Sequence, residues 1–166
     1  MPVTVNLKVM ESMSYFWEAT LDREKVGEQY INSVAEMPEM KPLYSDDFSM
    51  ESVRKLMSGI SNREMFPWNQ KEGRFWNNNM WMLEDMPLGR QMLSPVKTLN
   101  LDALNAKLGA KDLEVVIIPG HVDASYCAPG KITLNFFKIQ VDLETGSLNF
   151  EGMPLVTYLE SLLDRI

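Results

Sequence analysis

The chain holds a single histidine and a single cysteine, and they lie six positions apart in Pro119-Gly-His-Val-Asp-Ala-Ser-Tyr-Cys-Ala-Pro-Gly130. In extended chain, His121, Asp123, Ser125 and Cys127 project from one face, and Val122, Ala124, Tyr126 and Ala128 from the other. These residue types suit thiol chemistry: a thiolate attacks, a neighbouring imidazole lowers the thiol pKa, and a carboxylate orients the imidazole. His121, Asp123 and Cys127 are therefore the candidate catalytic residues. The spacing works against them, because side chains at i and i+6 of a strand stand about 20 Å apart, so the triad needs a bent loop. The competing reading is an amphipathic strand. A hairpin turning on 128–131 would set Cys127 opposite Ile132, Ser125 opposite Leu134 and Asp123 opposite Phe136, polar against apolar. Pro-Gly also favours a type II turn, which fits hairpin twist poorly. An irregular loop or an offset register is expected here. As a metal site, His121 and Asp123 have too few ligands nearby.

A second group of residues could bind without reacting. Nine of the 13 methionines fall between Met37 and Met92, alongside Trp68, Trp76 and Trp81. Methionine is flexible and polarizable, and tryptophan anchors interfaces. Met65, Phe66, Trp68, Trp76 and Trp81 are the candidate binding residues, since Met65-Phe66-Pro67-Trp68 sits where no regular element is expected. The alternative is an irregular core, with methionine filling gaps; Met57 and Met80 lie on core stripes and fit it.

Composition narrows the partners. The net charge is -7, and the acid excess is spread along the chain with no basic stripe. That leaves no source for counterion release on nucleic acid and disfavours anionic membranes; a protein partner with a basic or apolar surface is expected instead. No apolar run approaches a membrane span. One cysteine excludes an internal disulfide and a multi-cysteine metal centre. The N-terminus lacks the basic and apolar regions of a secretory signal, so a cytoplasmic location is expected. No cofactor motif is present: Gly130-Lys131-Ile132-Thr133 lacks the preceding glycine of a P-loop and leads into a strand. Homo-oligomerisation is compatible with these features.

The elements that must position these residues follow from hydrophobic periodicity. Residues 3–9 alternate as a strand, and 10–21 show no clear period. A helix is expected from Asp22 to Met37, with Leu21 and Val26 as a hydrophobic staple and Pro38 as its stop. Ser49 caps a helix with the face Val53, Leu56, Met57 and Ile60. A third helix covers 75–86 with Trp76, Met80 and Leu83 on one face, and one or two further turns span 88–93. A short helix carries Leu101, Leu104 and Leu108, capped by Asn100 and closed by Gly109. Leu113–Ile118 is a buried strand. Residues 132–143 form a long strand whose phase slips at Phe136-Phe137, a sign of a bulge. It returns through 144–147, pairing Leu143 with Leu148 and Val141 with Phe150. Pro154 opens a last helix with the stripe Leu155, Leu159, Leu162 and Ile166.

These elements define an α+β fold, a mainly antiparallel sheet of about four to five strands with helices packed on one face. A single domain over 1–166 is expected, helix-rich over 22–110, strand-rich over 111–152, and helical again over 153–166. The functional expectation is a non-catalytic binding protein with a Met/Trp-rich surface framed by acidic residues. A thiol-dependent enzyme using Cys127 and a carrier of small apolar ligands are the alternatives.

Overall fold

A computed structural model describes residues 3–65 and 67–166. The fold is α+β, and helices pack against sheet. The described chain divides into two compact units, one of residues 7–85 and 118–122, the other of residues 3–6, 86–117 and 123–166. No helix among the described residues is long and apolar enough to cross a membrane.

The first, helical unit contains α1 (Lys8–Leu21), α2 (Glu28–Ala35), α3 (Met50–Asn62) and α4 (Gln70–Glu84), with a 3-10 segment at Pro38–Leu43. α1 replaces the aperiodic stretch expected from sequence, and it ends the first strand early, at Asn6. Its buried residues are Val9, Met10, Met13, Phe16, Trp17, Ala19 and Thr20, a helical face that the exposed Tyr15 interrupts in sequence. Asp22 therefore follows a helix instead of starting one. The next helix begins at Glu28 after Gly27, and the proposed staple does not form, because Leu21 is exposed while Val26 is buried. α3 has the expected cap and face: Ser49 Oγ accepts from Ser52 N–H, and Val53, Leu56, Met57 and Ile60 are buried.

α4 starts earlier than periodicity suggests, because Asn69 and Glu72 form a reciprocal capping box. Its buried face is Phe75, Trp76, Asn79 and Met82, so Met80 and Leu83 lie to the side of the expected stripe. Asn79 explains the rotation. It is fully buried, accepts a hydrogen bond from Trp17 Nε1 (3.0 Å) and donates one to Phe75 O (2.8 Å), tying α4 to α1.

The second unit contains the strands. The sheet order is β1 (Val3–Asn6), β2 (Leu113–Ile118), β4 (Lys131–Asn135) and β3 (Ser125–Ala128). β1 and β2 are parallel, a departure from the antiparallel expectation, whereas β3 and β4 form an antiparallel hairpin. The long strand expected over 132–143 breaks where its phase slips. Buried Asn135 accepts from Phe137 N–H, turning Phe136–Lys138 into 3-10 helix. The chain resumes as β5 (Ile139–Val141) in a second sheet, ordered β5, β6 (Leu148–Phe150), β7 (Met153–Pro154).

The β5–β6 register is Val141 opposite Leu148 and Ile139 opposite Phe150, two residues from the expected pairing. Asp142 causes the shift: its carboxylate accepts from Glu144 N–H and Thr145 N–H, closing the turn early and leaving Leu143 exposed. α5 (Met86–Lys97) packs on β5 and β6, and it is longer than the one or two turns expected. α6 (Asp102–Leu108) is the expected short helix followed by Gly109, but its N-cap is Leu101 instead of Asn100, whose Oδ1 accepts from Asp102 N–H. α7 (Leu155–Ser161) packs on β6 and on α6, and its stripe ends at Leu162, with Ile166 half-buried.

Replacing Asn79 by Leu, similar in size, removes the acceptor for the Trp17 indole. We expect a loss of about 2 kcal/mol in unfolding free energy, read as a lower urea midpoint. A midpoint equal to the parent's would show that the buried amide contributes nothing.

Candidate functional site

His121 is 1% exposed, and both its ring nitrogens serve the main chain of the helical unit. Val122 N–H donates to Nδ1 at 2.8 Å, so Nδ1 carries no proton. Nε2 then holds the ring proton of the neutral imidazole and donates it to Leu43 O at 3.1 Å. The ring packs edge-on against Phe48, with centroids 4.6 Å apart. An imidazole so engaged offers neither lone pair nor proton to a thiol.

Asp123 and Cys127 belong to the strand-bearing unit. Asp123 Oδ2 accepts from Tyr126 Oη–H at 3.4 Å, and its carbonyl accepts from Asn135 Nδ2 at 3.1 Å. Burial pushes the Tyr126 phenol well above its ordinary pKa, and the negative charge of Asp123 adds to this. Cys127 lies on β3, the outer strand of its sheet, opposite Ile132. The residue is exposed, yet crowding around the sulfur pushes the thiol pKa up, and the charge of Arg165 only partly offsets it. An activated thiol would be shifted the other way.

The hairpin register is the straightforward one, contrary to the expected offset. Ser125 faces Leu134 and Cys127 faces Ile132, across a turn with Gly130 at a φ of 69°. Polar and apolar side chains tolerate one another there because β4 is internal and β3 is at the edge. Ser125 Oγ also finds a partner in Tyr158 Oη at 2.6 Å.

The methionines and tryptophans divide into core and surface. Met40, Met57, Met82, Met86 and Met92 are buried, as is Trp76, while Trp68 and Trp81 are half-buried. Trp68 and Trp76 stack obliquely, with centroids 5.1 Å apart. Gly73 provides the room: a Cβ there would lie 2.6 Å from Trp68 Nε1. Phe66 lies outside the described residues. Met65 stands out as the most exposed of the described large apolar side chains, at 74%.

Met65 lines a groove of about 380 Å³ with Glu28 of α2, Glu51, Arg54, Lys55, Ser58 and Gly59 of α3, and Glu64. Arg54 is held by Glu36 (3.4 Å) and Glu51 (3.5 Å), and Ser58 Oγ–H donates to Glu28 (3.4 Å). Sequence reading singled out Met65 but missed these carboxylates, because they come from separate elements and share no local pattern. The other unit has an apolar groove of about 390 Å³, walled by Leu99, Leu148, Leu155 and Val156 among others.

Asp46 and Asp47 are exposed surface groups. Asp47 accepts from Ser45 Oγ–H (2.7 Å) and pairs with Lys71 (2.9 Å), and these two contacts hold its carboxyl below the usual range. Among the described residues, no cluster of three or more His, Cys, Asp or Glu could hold a metal ion. Comparison with family models, curated proteins and solved structures finds no match for this chain.

Alkylation of Cys127 by iodoacetamide should run slower at pH 7 than that of an unstructured cysteine, with its inflection above about pH 8.5. A rapid reaction inflecting near neutrality would restore the thiol as a nucleophile. Gly73→Ala should displace the Trp68 indole, shifting tryptophan emission to longer wavelength; an unchanged spectrum would place that indole elsewhere.

Proposed function

We propose that this protein is a non-catalytic protein-binding module whose helical unit receives a partner segment in the groove around Met65. The observation that carries this reading is Met65 itself, 74% exposed and standing in a groove that also presents Glu28, Glu51 and Glu64. An exposed methionine contributes an adaptable apolar contact, and the carboxylates favour a partner bearing lysine or arginine beside an apolar anchor. Arg54 opposes such a partner little, because Glu36 and Glu51 pair with it; Lys55 also lines the groove, so Glu28 and Glu64 are the carboxylates left to meet the partner's cation. The net charge of -7 adds long-range attraction for a basic surface.

Short peptides carrying one Leu, Met or Phe between lysines or arginines test the reading. Titrated into isotope-labelled protein, they should shift the amide resonances of Glu28, Ser58, Glu64 and Met65, while peptides with glutamate in place of the basic residues should not. Met65→Ser should weaken that binding about tenfold, equivalent to about 1.4 kcal/mol, and leave the thermal midpoint near the parent's because the site is exposed. Shifts confined to other surfaces, or equal binding of acidic peptides, would sink the proposal.

A further inference from the structure

We propose that His121 is an acid-sensitive latch: as a neutral imidazole it holds segment 118–122 within the helical unit, and a proton on Nδ1 releases that segment. The geometry makes the ring intolerant of a second proton. Nδ1 is the acceptor for Val122 N–H at 2.8 Å, so protonation there turns two hydrogen-bond partners into two opposed donors. The charge would also arise on a side chain only 1% exposed and packed against the Phe48 ring. Phe48 in turn packs on Phe75 and Tyr44, so the surroundings cannot turn polar without disturbing an aromatic cluster.

Two residues along the chain from His121 stands Asp123, whose Oδ2 accepts from Tyr126 Oη–H, and further charged and titratable groups lie on the elements packed around the ring. Along the 3-10 segment and the turn after it, these are Glu39, Lys41, Tyr44, Asp46 and Asp47. Tyr44 donates its hydroxyl proton to Ala35 O, and burial pushes its pKa up to about 12, so it stays neutral through the acid range. Asp46 is exposed, and Asp47 is exposed and bound to Lys71. On α4 the groups are Lys71, Glu72, Arg74 and Glu84; Glu72 closes the helix cap and Arg74 is exposed. The two described polar contacts of the imidazole are main-chain groups, which do not change charge with pH.

The sign follows from proton counting. The released segment exposes an ordinary imidazole that binds a proton, whereas the docked ring excludes it, so docking is complete above the free imidazole pKa of about 6.5 and weakens as pH falls. One proton per opening event requires about a tenfold loss of docking per pH unit over that descent.

Because the chain has one histidine, a single imidazole signal reports the latch directly. Nitrogen NMR of the ring near pH 7.5 should show the neutral Nε2–H tautomer. Hydrogen exchange, corrected for its intrinsic pH dependence, should show protection of the Val122 amide falling about tenfold per unit below about pH 6.5. His121→Gln keeps a donor and an acceptor but does not titrate, and should remove that dependence. If this variant fails to fold, the wild-type chain still decides the matter: protection of Val122 must begin to fall near about pH 6.5 and be lost by the pH at which the ring is protonated. A ring that protonates while Val122 stays protected, or the same pH dependence in the glutamine variant, would overturn the proposal.

Discussion

A strand that runs past the edge of its ladder carries main-chain donors and acceptors into places where no neighbouring strand can meet them. That constraint governs residues 118–122, which continue the chain from the last residue of β2 and belong to the helical unit. Buried peptide groups must find partners, and here side chains supply them. Asn78 Nδ2 donates to Gly120 O (3.1 Å), while His121 accepts from Val122 N–H and donates to Leu43 O. The lone histidine, which invites a catalytic reading, is thereby engaged in satisfying backbone. Asn79 does comparable service one residue along α4, where the Trp17 indole would otherwise lose its acceptor within the core.

How much of this was legible depends on whether local sequence or distant partners decided each element. α3 was readable because cap and periodicity agree, and α6 and β2 because an apolar pattern runs up to a terminator, Gly109 in one and Pro119-Gly120 in the other. α1 was not, since the run Tyr15-Phe16-Trp17 places one exposed ring between two buried ones and hides the period. The slip at Phe136-Phe137 was visible, but whether it meant a bulge or a 3-10 turn rested on the bonds Asn135 makes. In the last hairpin the alternation fixed which residues share a face. The Asp142 carboxylate fixed the register, and alternation alone tolerates a shift of two.

The candidate sites show the same division. Proximity of His121 and Cys127 in sequence was real, but neither the burial of one nor the edge position of the other could be read from spacing. The methionine enrichment proved to be two things. Most of the side chains in that stretch fill core gaps, where a flexible thioether suits irregular helix packing. Met65 differs because it follows the left-handed residue Arg63 that ends α3, where the chain no longer buries its side chains. Its acidic neighbours Glu28 and Glu51 were unreadable from sequence, since only the packing of α2 on α3 brings them to it.

The interleaving of the two units bears on how the chain is made. β1 is synthesised before the helices, yet its parallel partner β2 begins only at Leu113, and the helical unit lacks residues 118–122 until they too have emerged. Neither unit is a continuous stretch, so a growing chain cannot complete the first before beginning the second. α1 to α4 have mostly local contacts and can associate early, while β1 must wait for a strand more than a hundred residues away, with a loop-closure cost to match. Residues 118–122 therefore complete the helical unit before β3 to β7 complete the other, and a fragment ending after α4 would carry a helical assembly without its histidine and a strand without its sheet.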